Sequence, residues 1–119
     1  MEEVSISQDR HSRLDLPPQL WDRAEVENAL RRERMVFAAK VRGARAILGW
    51  SQRELGRRVS LTQKSVYRME LGIYDVRRST AAIVEQVLKS EGIEFEDLPG
   101  GGFKLVIPER ILTALERNT

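Results

Sequence analysis
A chain of 119 residues with 41% hydrophobic and 32% charged side chains suffices for one globular domain with a modest core and is too short for two well-packed ones. With no cysteine it can build neither a disulfide framework nor a thiolate metal site, and no apolar run approaches bilayer length, which predicts no membrane span. The formal charge of +2 is unevenly spread: residues 31–78 hold 13 basic and 4 acidic side chains, while residues 1–30 hold 3 and 7, and residues 79–119 hold 4 and 7.

Residues 1–16 are polar, lack the apolar stretch of a secretory signal, and are predicted to be a disordered leader. Pro17 and Pro18 suit the first turn of a helix, so an N-terminal helical extension is expected over 17–36. Leu20, Ala24, Leu30, Phe37, Val41, Ala44 and Leu48 recur at near-helical spacing. The run Arg31–Arg34 is polar on all sides, which leaves open one long helix or two broken near Arg34. Gly49 is placed to end this segment.

Ser51-Gln52-Arg53-Glu54 then reads as a capping box, with Ser51 accepting from the Glu54 amide and the Glu54 carboxylate reaching back to the Ser51 amide. A short helix over about 52–59 follows, with Leu55 and Val59 inward. Ser60 and Leu61 leave room only for a tight corner. Thr62 is a good N-cap for a helix ending near Leu71, with Gly72 beyond it. A further helix is expected from Ser79 or Thr80, burying Ile83, Val87 and Leu88 and stopping at Gly92.

The pattern changes at residue 93. Ile93 and Phe95 alternate with Glu94 and Glu96, and Phe103, Leu105 and Ile107 alternate with Lys104 and Val106. Pro99-Gly100-Gly101-Gly102 lies between them, predicting a β-hairpin. Pro108 opens a short C-terminal helix with Ile111, Leu112 and Leu115 on one side. A lone hairpin is marginal in water, so Phe95, Phe103, Leu105 and Ile107 must be covered. Either a second copy covers them, making 93–119 a dimerisation segment, or they complete the chain's own core.

Two short helices around a tight corner, the second with a polar outer face, describe a helix-turn-helix. Gly56 in mid-helix costs about 1 kcal/mol against alanine and needs a reason, which close approach at the helix crossing supplies. The fold expected is therefore mainly α: a helix-turn-helix bundle over 37–92 with the N-terminal extension and the C-terminal hairpin and short helix.

The segment GARAILGWSQRELGRRVSLTQKSVYRMELG resembles the DNA-binding domain of Cro- and phage-repressor-type (XRE-like) transcriptional regulators, over about half of the chain. Its matching elements are Arg45, GWSQ at the first corner, EL in the second helix and ELG after the third. Ser60 stands where the family has glycine in the turn, and the loop Ile73–Arg78 lacks the family's proline. The resemblance implies a sequence-specific regulator of double-stranded DNA, expected to be a cytoplasmic repressor of prokaryotic or phage origin that binds a palindrome as a homodimer.

Position by position, it implies base reading by Gln63, Lys64, Tyr67 and Arg68 on the recognition helix, with glutamine suited to adenine and arginine or lysine to guanine. Gln52, at a helix N-terminus, would meet a phosphate, as would Arg53, Arg57, Thr62, Arg77 and Arg78. Arg45 and Glu70 would form an internal ion pair. For an arbitrary helix the same outer face would be plain solvated surface, and Tyr67 could instead pack over the domain edge. The rival function is a protein-interaction module, an antitoxin or adaptor with a protein partner. No enzyme, cofactor or metal site is expected: His11 is the sole histidine, and the glycine run is followed by neither a helix nor Lys-Ser/Thr.

Overall fold
The structure, a computed structural model, describes residues 16–117; the expected leader therefore lies, but for Leu16, outside the described residues. The chain divides into two compact units, one up to Glu33 and the other from Arg34 onward. The described part is mainly helical, with one two-stranded antiparallel hairpin. No helix is long and apolar enough to cross a membrane.

In the first unit, Pro18–Leu20 forms a single 3-10 turn rather than the start of a long helix. The chain is extended at Trp21, whose indole Nε1 donates to the Leu16 carbonyl at 2.6 Å. Asp22 restarts the helix: its carboxylate accepts from the Ala24 amide at 2.8 Å, the service an N-cap residue provides to unpaired amides. Helix α1 then covers Arg23–Leu48, and Arg31–Arg34 are helical. Leu20, Ala24 and Leu30 are exposed rather than inward, so the near-helical spacing overestimates the buried stripe there.

In the second unit, α1 buries Ala38, Val41 and Ala44. Beyond Gly49, α2 (Gln52–Val59) is capped by Ser51, whose hydroxyl accepts from the Glu54 amide at 2.9 Å. Only this half of the expected capping box forms. The Glu54 carboxylate turns instead to Arg57 and Arg58, at 2.6 and 2.7 Å, because two guanidiniums one turn on outcompete a neutral amide.

Ser60 closes α2 in the left-handed conformation, φ 60° and ψ 43°. Serine takes the backbone shape usually given to glycine at that corner, at a cost of roughly 1–2 kcal/mol. Helix α3 (Gln63–Leu71) begins at Thr62, whose hydroxyl accepts from the Ser65 amide, and ends at Gly72 with φ 75°. Gly56 does need to be glycine, but not because of a helix crossing as expected: a Cβ there would lie 2.5 Å from the Leu61 carbonyl oxygen. The tight neighbour is the corner's own backbone.

Helix α4 (Arg78–Ser90) buries Val84 and Leu88. Ile83, expected inside, is 52% exposed. The helix starts at Arg78 rather than at Ser79 or Thr80, and its inward stripe is 84–88 with Val87 at the margin. Strands β1 (Glu94–Asp97) and β2 (Phe103–Val106) pair with Phe95 opposite Leu105 and Asp97 opposite Phe103. Helix α5 (Glu109–Arg117) buries Ile111 and leaves Leu112 exposed, so Leu112 does not share the inward side with Ile111.

One core joins these elements. Leu55, Val66, Val84, Leu88 and Ile93 are fully buried in it with Val41, and fully burying each such side chain contributes about 1.5–3 kcal/mol. Phe95, Leu105 and Ile107 pack against the same cluster. Phe103 meets Phe95 edge to face at 6.4 Å. Lys40 lies over both rings, 5.4 and 5.7 Å from their centroids, and its ammonium reaches Asp97 at 3.0 Å. Phe95, Phe103, Leu105 and Ile107 are all half-buried by the chain itself.

Candidate nucleic-acid interface
The inner side of α3 is fixed by burial and by one polar network. Val66 and Met69 enter the core. Glu70, 4% exposed, is bound in bidentate fashion by Arg45 of α1, Nε at 2.7 Å and Nη2 at 3.0 Å. Arg45 Nη1 also donates to the Trp50 carbonyl at 2.9 Å, and Arg42 Nη1 to the Glu70 carbonyl at 3.0 Å. The side-chain hydrogen bonds to Glu70 raise the Arg45 pKa above its ordinary value, outweighing the opposing effect of burial. The network ties α1 to the end of α3 through charge-assisted bonds, the strong class.

The remaining expected contact residues fall into three groups. Gln63, Lys64 and Tyr67 are exposed, and none of the described residues forms a hydrogen bond or ion pair with their side chains. Gln63 and Lys64 each stand about one turn before Tyr67, at i,i+4 and i,i+3 spacing. Arg68 is exposed too, but its guanidinium lies over the Tyr74 ring, 4.6 Å from the centroid.

Gln52 and Thr62 have work inside the chain. The Gln52 amide donates to Glu70 Oε1 at 3.0 Å, which orients it at the start of α2. The Thr62 hydroxyl, already bonded to the Ser65 amide, also donates to the Ser65 hydroxyl at 3.0 Å. Arg57 is exposed but bonded to Glu54. Beside these two guanidiniums, Arg57 first and Arg58 second, the Glu54 carboxyl is held below its ordinary pKa. Arg53, Arg77 and Arg78 are exposed and paired with no carboxylate among the described residues.

The charge of the basic middle is thus sorted. Arg34, Lys40, Arg45, Arg57 and Arg58 each meet a carboxylate. Arg53, Lys64, Arg68, Arg77 and Arg78, on α2, on α3 and around the start of α4, do not. These cations offer hydrogen-bond donors and uncompensated positive charge, the features that attract a polyanion.

Three residues with a part in this arrangement were not picked out in the sequence. Arg42 supports Glu70, and its position three residues before Arg45 is the spacing that could have flagged it. Arg58 lies over Trp50 at 4.1 Å, which nothing in the linear pattern announces. Tyr74 lies in a loop, where no periodicity relates it to Arg68. Among the described residues no group of three His, Asp or Glu side chains could hold a metal ion. No protein-family model, no curated protein and no solved structure matches the chain.

Proposed function
We propose that this protein binds double-stranded DNA through a helix-turn-helix formed by α2 and α3, and that its particular role is that of a sequence-specific transcriptional regulator, a repressor acting as a dimer on a palindromic site. The observation that carries the reading is the division of α3 into two sides. One side is locked by Val66, Met69 and the pairing of buried Glu70 with the partly buried Arg45. The other presents Gln63, Lys64 and Tyr67 without partners among the described residues. A rigid helix with long donor and acceptor side chains on its outer side is what reading base edges in a major groove demands. Arg53, Arg77 and Arg78 supply cations for phosphates, which set register without reading sequence.

A dimer would read two half-sites about 34 Å apart. Since Phe95, Leu105 and Ile107 serve the chain's own core, the contact between copies falls on the outward residues of 93–117, where Val106 and Leu112 are exposed. The alternative, a protein-interaction module of the antitoxin or adaptor kind, draws support from exposed Leu71 and Ile73 at the end of α3, the latter 66% exposed.

Selecting bound duplexes from a random pool tests the proposal. The expected result is a palindromic consensus whose affinity falls steeply with salt. Each lost phosphate contact lowers the slope by about one unit. Gln63→Ala relaxes preference at one base pair of each half-site, whereas Arg53→Ala weakens all duplexes alike. A pool that yields no consensus and no salt-dependent binding rejects the proposal in favour of the protein-partner reading.

A further inference from the structure
Tyr74 has no role in the core, since it is absent from the buried cluster and 40% exposed. The chain on either side of it is nevertheless in contact with the rest of its unit. Gly72 is packed so closely that a Cβ there would meet Ala38 Cβ at 3.3 Å and Met35 Cα at 3.4 Å. Asp75 accepts from Arg34 Nη1 at 2.9 Å, and Val76 packs against the core. A short loop that packs at 72 and 76 and makes an ion pair at 75 presents one aromatic ring, and on that ring lies the guanidinium of Arg68 at 4.6 Å.

We infer that Tyr74 is a positioning residue for base recognition, an aromatic platform that holds Arg68 extended and oriented for the edge of a guanine. This rests on the reading of α3 as the base-contacting helix. Arginine stacks on aromatic faces through its planar, weakly hydrated guanidinium and keeps its in-plane donors available while stacked. A guanine presents O6 and N7 in one plane, and a bidentate arginine is their commonest partner. An arginine ordered before binding loses less side-chain entropy on contact. The platform therefore makes specificity at one base pair depend on a residue that touches no base. The loop Ile73–Arg78, which lacks the proline expected from the resemblance, thereby takes a part in selectivity that its two phosphate-directed arginines do not.

The test is selection from a random duplex pool with the full chain and with the variants Arg68→Ala, Tyr74→Leu and Tyr74→Phe, each first checked for an unchanged unfolding midpoint. Arg68→Ala identifies the base pair that Arg68 reads. Tyr74→Leu is expected to lower preference at that pair about two- to fivefold, the worth of an exposed cation–π contact. It should leave the other positions and the salt slope as they were. Tyr74→Phe keeps the ring and retains the original preference.

The inference is overturned if Tyr74→Leu keeps full preference at that pair, weakens all positions equally, or tightens binding, the last meaning that the ring stores Arg68 away from DNA. It is also overturned if Arg68→Ala alters no preference while the intact chain still selects a consensus, which leaves the DNA-binding reading standing. A wild-type chain that enriches no duplex removes that reading and the inference together.

Discussion

Replacing Gly56 by alanine puts the joint between α2 and α3 to the most direct trial. The new Cβ would sit 2.5 Å from the Leu61 carbonyl oxygen, about 0.9 Å short of ordinary contact at 3.4 Å, with the Leu61 and Thr62 carbonyl carbons at 3.4 Å. None of these atoms is a side-chain end that can swing away. The corner is held by Leu61 N–H donating to the Gly56 carbonyl at 2.8 Å and by the left-handed Ser60, so the whole turn must move. Overpacking of this kind costs about 1–3 kcal/mol, and a rigid backbone neighbour places Gly56 toward the upper end. Alanine returns about 1 kcal/mol through helix propensity. The expected net loss is about 1–2 kcal/mol, read in urea as a midpoint lower by roughly 0.5–1 M with unchanged slope.

Gly43 supplies the control. It lies inside α1, where alanine gains the same propensity, and its Cβ would meet only the Leu105 Cδ1 tip at 3.2 Å. Gly43→Ala is expected to be neutral or to stabilise by up to about 1 kcal/mol. If Gly56→Ala also proves neutral or stabilising, the two helices do not close around that carbonyl, and the reasoning about the corner is refuted.

Other perturbations separate the remaining forces. Arg45→Met leaves Glu70 buried without its main partner and should destabilise by about 2–4 kcal/mol in thermal unfolding, while adding Glu70→Leu to the same chain should recover part of that loss. Ser60→Gly relieves the left-handed serine and should raise stability by about 0.5 kcal/mol, after the greater unfolded-state freedom of glycine is subtracted; a decrease would mean the corner has another backbone shape. Glu54, depressed below its ordinary value of 4.5 by Arg57 and Arg58, favours the fold above that value, and its contribution is lost as pH falls through the lower folded pKa. A carboxyl titration followed by NMR should place its midpoint below 4.5, and Arg57→Ala should bring it back toward the ordinary value.

Short-range signals were the most legible part of the sequence. Ser51 and Thr62 are the N-caps in the structure, Gly72 is the C-terminal cap of α3, and the hairpin lies between Ile93 and Ile107. Each depends on chemistry within a few residues: a hydroxyl near orphan amides, a backbone turn that favours glycine, alternation around a glycine loop. Facing directions were less legible. Ile83 and Leu112 belong to the right helices but point outward, because on short helices a one-residue rotation of the apolar stripe changes the pattern little, and only the neighbouring elements decide which rotation packs.

Electrostatic pairings divide in the same way. Arg45–Glu70 entered through the resemblance of a motif. Arg34–Asp75, Lys40–Asp97 and Arg68 over Tyr74 join positions that no sequence spacing relates. Local rivalry also redirected Glu54, since a capping box and two nearby arginines compete for one carboxylate. Charge segregation pointed to residues 31–78, but apart from Arg57 and Arg58, which Glu54 meets within its own helix, which cations are neutralised there is a property of tertiary packing.

The bareness of one side of α3 has a consequence for how this chain can change. Gln63, Lys64 and Tyr67 are exposed and lend nothing to the core, so they can be exchanged at little cost in stability. Their identities can drift or be re-engineered while the framework stays put, as interchangeable type is set in a fixed frame. Arg68, leaning on the Tyr74 ring outside its own helix, differs from these three in that its exchange also removes a contact within the chain.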